Sequence, residues 1–267
     1  MTDSGVIRRL HDNDIQSAWA RFLELQTTFF GPGEVQWLQH HQALRGDVLE
    51  IGSALGHYGS YLAGQCAAHQ VVGLEASADL IARQSSLPGN YRIEQCRVGA
   101  QPLPERHRGR FDTCVVRYVL QHDPAPLRLL QTLHDALPVG SRIFLVEEDD
   151  RLFVSNGRYA PWDAAVAIWK RACRFGGTNS QIGMDLPILV ERAGFAVEDF
   201  SIDLRSNIDN PVMFFDFFKS VVELLWLSTP EFVSDEEFAF VSMGLEQAPP
   251  LGLCAVYPQI RLVARKR

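Results

Sequence analysis

The sequence predicts an α/β protein built on a doubly wound, mostly parallel sheet of seven strands, and three observations carry that expectation. Short apolar runs alternate with amphipathic helical stretches over the first half of the chain, which is the rhythm of βαβ crossovers. The run from Phe111 to Arg117 is nearly unbroken in its apolar character and suits a parallel strand covered on both faces. A first strand over Val48, Leu49 and Ile51 closes at Gly52, and Gly56 precedes a helix expected over Tyr58 to Ala68. Strand, glycine turn and helix together let a backbone approach a nucleotide-like ligand closely.

Each element has its own signal. Asp14 caps a helix that carries Ile15, Ala18, Trp19, Phe22 and Leu25 at helical spacing, after a polar first dozen residues. Gly31-Pro32-Gly33 should break that helix, with a second, short one around Val35, Trp37 and Leu38. The second strand runs from Gln70 to Glu75 and ends in a carboxylate, and Ser77 caps the next helix. Pro88-Gly89-Asn90 turns into a third strand, Tyr91 to Cys96. Asp123 and Pro124 open a helix striped by Leu127, Leu130, Leu133 and Leu137, and Arg142 to Val146 forms the fifth strand. Then the alternation stops. A helix from Pro161 to Phe175 falls outside it, and the rhythm resumes with a helix from Asp185 and a strand from Phe195 to Leu204. Asn210-Pro211 starts an apolar helix, Ser234 and Glu237 form a capping box for another, and Gln259 to Ala264 is expected as a last edge strand. The resulting division is 1–45 (helices at the site or sheet edge), 46–150 (cofactor-binding core), 151–183 (a helical insert, or lid) and 184–267 (the rest of the sheet with an apolar helical cap).

Composition narrows the function classes. With 267 residues, 46% of them hydrophobic, the chain has enough apolar material for one large domain with an inserted or appended cap. A formal net charge of -7 argues against a nucleic-acid partner, and the basic run Arg106 to Arg110 is expected as a solvated loop. The five cysteines form no C-x-x-C pair and are expected to be reduced, the apolar ones buried. With no secretory leader pattern and no apolar run of spanning length, a soluble cytoplasmic protein with no membrane partner is expected.

The glycine turn reads acid-x-G-x-x-x-G, with Glu50 inside the strand, and lacks the G-x-G-x-x-G of nicotinamide-binding folds. Together with Glu75 after the second strand, Phe111-Asp112, Arg117-Tyr-Val-Leu-Gln-His122 and Leu137-Pro138-Val139-Gly140 before Val146-Glu-Glu-Asp149, it resembles the class I S-adenosylmethionine-dependent methyltransferases. Ile182-Gly183, Leu186-Pro187 and Ala193-Gly194-Phe195 resemble bacterial small-molecule members with helices inserted after the fifth strand. The resemblance implies a Rossmann-like fold and S-adenosylmethionine as cofactor; no metal is expected, because no second carboxylate or histidine group at ligand spacing joins Glu147, Glu148 and Asp149. The resemblance places Glu50, Gly52, Ser53, Gly56, Glu75, Ala76, Gly99 and Arg117 at the cofactor, with Glu75 on the ribose hydroxyls. Glu50 would either reach the ammonium group through water or orient the loop. Three departures stand out: Ala54 replaces the middle glycine of the turn, Val139 replaces a glycine before the fifth strand, and Val98-Gly99-Ala100 replaces the acid that faces adenine, leaving that role to backbone carbonyls, Gln95 or Gln101.

Methyl transfer needs the acceptor aligned with the methyl, which the cofactor makes reactive. His122, just past the fourth strand, is the candidate base for a hydroxyl acceptor, and the competing role is a loop-bonded or spacing histidine. Tyr118, Glu148, Trp162 and Trp169 are the candidate acceptor-binding residues. Of Glu147, Glu148 and Asp149, at least one is expected in solvent. Nine of the sixteen phenylalanines lie between Phe195 and Phe240, so they either pack the late helices or a dimer face, or line a pocket for an apolar or aromatic small molecule. A non-catalytic binding protein of the same fold and a nucleotide-dependent oxidoreductase are the alternatives, and a homodimer is one option for assembly.

Overall fold

The computed structural model describes residues 13–66, 69–84, 86–157 and 159–267, so the polar first dozen residues lie outside the described set. In chain order the elements are α1 (Asn13–His40), β1 (Val48–Ile51), α2 (His57–Gln65), β2 (Val71–Glu75), α3 (Ala78–Ile81), β3 (Tyr91–Gln95), β4 (Thr113–Arg117), α4 (Pro126–Ala136), β5 (Arg142–Glu148), β6 (Val154–Ser155), α5 (Ala160–Gly176), α6 (Leu186–Arg192), β7 (Phe195–Ser206), α7 (Pro211–Ser228), α8 (Asp235–Leu245) and β8 (Ala255–Lys266). They fall into a sheet unit (residues 30–148, 181–203 and 259–267) and a helical unit that takes in 149–180 and 204–258 with the first half of α1.

The sheet has eight strands in the order β3-β2-β1-β4-β5-β8-β6, with β7 pairing off that path on β8. Strands β1 to β5 are parallel, while β8 runs antiparallel to both β5 and the two-residue β6, the strand beyond the expected seven. Every residue of β1, β2 and β4 is buried, as the unbroken apolar runs predict for central parallel strands. Removing each Val, Leu or Ile of these strands from water contributes about 1.5–3 kcal/mol. The sheet unit's core gathers Val48, Val71, Val115, Phe144 and Val263 from the strands with Leu38, Tyr58 and Leu62 from the helices.

Three of the expected elements take a different form, each for a physical reason. Helix α1 runs through Pro32 without a break. The ring removes one helical N–H and costs about 3 kcal/mol, but fully buried Phe30 and Leu38 anchor the helix on either side. Helix α4 begins at Pro126 and not at Asp123, because the Asp123 carboxylate accepts the amide of Ala125 (2.7 Å) and closes a turn first. Strand β8 is internal: its long apolar run is buried between β5 and β7.

The basic segment is folded onto acids. His107, fully buried, lies 2.8 Å from the Glu94 carboxylate, Arg106 donates to the same group, and Arg110 pairs with Asp47 at 2.8 Å. Partial burial opposes the Glu94 charge, but the hydrogen bonds from His107, Arg106 and Arg92 outweigh it and bring its pKa down to about 2. Cys66, Cys96, Cys114 and Cys173 are buried thiols outside any disulfide.

In the helical unit the phenylalanines pack on one another. Trp162 of α5 is enclosed by Phe214 (ring centroids 5.0 Å apart) and Phe218 (4.3 Å) of α7, and Phe217 and Phe218 also pack on Tyr257. Phe214, Phe215, Phe217 and Phe218 are all buried, so this cluster is the unit's core and not an open apolar wall. The Asn210 side chain caps α7 through the amide of Met213, and the Ser234–Glu237 capping box on α8 is formed. No helix among the described residues is long and apolar enough to cross a membrane.

Candidate cofactor and catalytic site

The carboxyl ends of β1, β2 and β4 bring one group of candidate residues together in the sheet unit. At β1 the chain leaves the sheet at Gly52 (φ +76°), whose amide donates to the Leu74 carbonyl of β2 at 2.8 Å. A side chain at Gly52 would meet Val119 Cγ2 at 2.3 Å, so the turn needs glycine both for its backbone and for this contact. A Gly52→Val change would therefore displace the turn itself. Ala54 occupies the left-handed region (φ +47°), where an L-residue costs about 1–2 kcal/mol, and its amide donates to Glu75 Oε2 at 2.8 Å. The loop accepts the methyl group that the sequence places there, and Glu75 holds it. Replacing Ala54 by valine is expected to cost about 1–2 kcal/mol more, while glycine should leave stability nearly unchanged, since relief of strain offsets the added chain entropy; urea denaturation checks both.

Glu75 ends β2 largely buried and ties two loops: Oε2 takes the Ala54 amide and Oε1 takes the Ser77 amide, both at 2.8 Å. Each oxygen keeps a second lone pair, so the carboxylate can still accept from a diol. Gly56 (φ +83°) is the N-cap of α2, and Ala76 is exposed just past Glu75.

Glu50 lies within β1, just before the turn. Its carboxylate is buried against α2, accepts the Tyr91 hydroxyl at 2.6 Å, and would collide with any side chain at Gly59. Burial raises its pKa despite the hydrogen bond from Tyr91. Ser53 Oγ lies over Gly73, where a side chain would find no room. The geometry favours an orienting Glu50. Gly99 (φ +92°) is left-handed too, but the space of its absent side chain is taken by Leu129 of α4, at 3.1 Å. Gln95 and Gln101 are both exposed.

At the end of β4, Arg117 is buried between two tyrosines, its guanidinium carbon 4.4 Å from the Tyr58 ring centre and 4.8 Å from that of Tyr118. Its Nε donates to both carboxylate oxygens of Glu34 in α1 (3.0 and 2.8 Å). Gln259 of β8 donates to Glu34 at 2.5 Å and to the Tyr118 hydroxyl at 2.9 Å, and Arg261 donates to Gln259 at 2.8 Å. Burial disfavours the Arg117 cation, and the Glu34 carboxylate reverses that, so its pKa stands above the usual value. Glu34, Tyr58, Tyr91 and Gln259 carry no motif; only their distant partners reveal them.

Tyr118 holds a left-handed backbone (φ +53°), and a short 3₁₀ turn, Leu120–His122, follows it. His122 is reached by solvent yet surrounded by protein, and this recess depresses its pKa to about 4 by penalising the cation. Behind that turn, all three acids at the end of β5 are buried: Glu147, Glu148 and Asp149. Asp149 pairs with Arg151 through both oxygens, so the expected solvated acid is absent. Trp162 presents no open face, and Trp169 of α5 is half-buried. Among the described residues no group of three or more His, Cys, Asp or Glu side chains could hold a metal ion.

Comparison with known proteins agrees with this fold. The profile of a methyltransferase domain family matches residues 16–199. Ubiquinone biosynthesis O-methyltransferases from Pseudomonas aeruginosa and Azotobacter vinelandii are similar at 24% identity over 115 residues (43% of this chain, 50% of theirs) and 25% over 114 residues (42% and 49%). The chain thus spans about half the length of the curated relatives it matches. Three solved structures share the fold. The [4+2]-cyclase SpnF is 18% identical with a TM-score of 0.51, covering 82% of this chain and 74% of its own. Haemonchus contortus phosphoethanolamine N-methyltransferase 2, solved with phosphomonomethylethanolamine and S-adenosylhomocysteine, is 13% identical with a TM-score of 0.51, covering 86% and 52%. The YcgJ protein of Bacillus subtilis is 16% identical with a TM-score of 0.50, covering 83% and 92%.

Proposed function

The chain belongs to the class I S-adenosylmethionine-dependent methyltransferases, and we propose that it moves a methyl group from that cofactor to a hydroxyl of a small molecule. The observation that carries this reading is the Glu75 carboxylate, which closes β2 and holds the β1 glycine turn through the Ala54 amide while keeping lone pairs for a ribose diol. S-adenosylmethionine, when bound, supplies an electrophilic methyl. The chain's own residues do the rest: the Gly52–Gly56 turn brings backbone close, Glu75 accepts from the diol, and Arg117 and Tyr118 border the end of β4. His122, neutral in its recess, is available to take the proton of an acceptor hydroxyl.

A hydroxyl acceptor is favoured by the O-methyltransferases among the curated relatives. The apolar or aromatic acceptor expected from the phenylalanines loses that ground, because the cluster from Phe214 to Phe218 is core. Calorimetry is expected to show binding of S-adenosylmethionine and none of NAD. Glu75→Ala should weaken that binding about 10- to 100-fold, the loss of one or two charge-assisted hydrogen bonds. A panel of small phenols, catechols and alcohols should yield S-adenosylhomocysteine. Binding without release across the panel would favour a non-catalytic protein, and unchanged affinity in Glu75→Ala would remove the carboxylate from the site.

A further inference from the structure

We infer that Glu147 is a positioning residue of the cofactor site, holding the segment after β4 so that Val119 stays closed over the Gly52 turn. The inference rests on the methyltransferase reading for the cofactor and on the following geometry for the hold. The last sheet bond of this region is the Tyr118 amide to the Val146 carbonyl, at 2.8 Å. Beyond it the chain leaves the sheet with Tyr118 in the left-handed region, and backbone pairing with β5 ends. The next residue on β5 continues the attachment with its side chain. Glu147 Oε1 accepts the amides of both Val119 (2.9 Å) and Leu120 (2.7 Å). The His122 amide, donating to the Val119 carbonyl at 3.0 Å, then closes the turn that carries the candidate base.

Val119 in turn rests on Gly52, where its Cγ2 fills the place of a side chain. One buried carboxyl oxygen therefore links the candidate base, the segment bordering the cofactor and the glycine turn. Glu147 is fully buried, and its Oε2 has no partner among the described residues. Burial, with Glu148 alongside, lifts its pKa to about 8 against the pull of the backbone amides, so at neutral pH the group is an uncharged acid whose Oε1 accepts as a carbonyl does. Glutamine reproduces that acceptor and that charge, whereas leucine fills the space and removes the acceptor.

Two measurements test this together: backbone amide exchange of Val119 and Leu120 by NMR without ligand, and calorimetric binding of S-adenosylhomocysteine. In the wild-type protein both amides should be protected. Glu147→Leu is expected to speed exchange at both and to weaken S-adenosylhomocysteine about 10- to 100-fold. Glu147→Gln should stay within about 3-fold of wild type in both, a rescue that general loss of packing would not produce. Unprotected amides in the wild-type protein would overturn the hold without any variant. Wild-type affinity in Glu147→Leu, or a Glu147→Gln variant as impaired as the leucine one, would overturn the positioning role. A wild-type protein that does not bind S-adenosylhomocysteine would overturn the cofactor role along with the methyltransferase reading, while the exchange measurements would still decide the hold.

Discussion

Arg117→Met is expected to destabilise the protein by about 3–5 kcal/mol, because it leaves the Glu34 carboxylate buried without its cation. Glu34 is fully enclosed, and the neutral Gln259 amide would remain to hydrogen-bond it. Removing both charges is a different matter. The double variant Glu34→Leu, Arg117→Met should recover more than half of the loss, since two apolar side chains of similar size replace a pair that was costly to desolvate. Gln259 keeps the Tyr118 hydroxyl as its partner in that background. A double-mutant cycle by urea denaturation measures this directly. Additive losses from the two single changes would mean that the pair is uncoupled and that Arg117 is held by the Tyr58 and Tyr118 rings instead.

The contrast between this pair and the glycine turn shows what was legible before the fold was known. Strands β1, β2 and β4 were visible as apolar runs because both faces of each are covered, so nearly every residue had to be apolar. The turn was visible because Gly52 and Gly56 sit where only glycine is comfortable, and Glu75 because it ends a strand at the carboxyl edge of the sheet. Glu34 and Arg117 are 83 positions apart in sequence and pair through α1, so no local spacing could join them. Tyr91 and Glu50 are 41 apart and meet for the same reason. Local rules failed at Pro32 inside α1, where tertiary burial overrode them, and they left Trp162 and the Phe214–Phe218 cluster open between core and pocket, because aromatic character fits both. Glu147 was visible as an acid at the end of β5, but its role depends on which amides the next loop turns toward it.

The largest kinetic effect is expected at His122. With a pKa near 4 its imidazole is neutral through the physiological range and free to accept a proton, though as a weaker base than an ordinary histidine. If it is the base, kcat should fall about 10²- to 10⁴-fold in His122→Ala, with cofactor affinity little changed. The direction with pH follows from the same recess. The competent form is the unprotonated one, so turnover should hold as pH drops from 8 to 5 and decline only as His122 takes up a proton near pH 4. An ordinary histidine would begin that decline near 6.5. The folded state faces the same linkage: because its pKa is depressed, His122 binds a proton more readily when unfolded, so its contribution to stability diminishes as pH falls from about 6.5 toward 4. Acid-side turnover must therefore be measured alongside a fold-sensitive signal at each pH. His122→Gln separates chemistry from placement, since its amide can hydrogen-bond but cannot act as a base at neutral pH. Loss in both variants, with the acid limb shifted or gone, assigns the base. Near-normal turnover in glutamine beside a poor alanine variant leaves His122 a positioning role, and normal turnover in both removes it from the reaction.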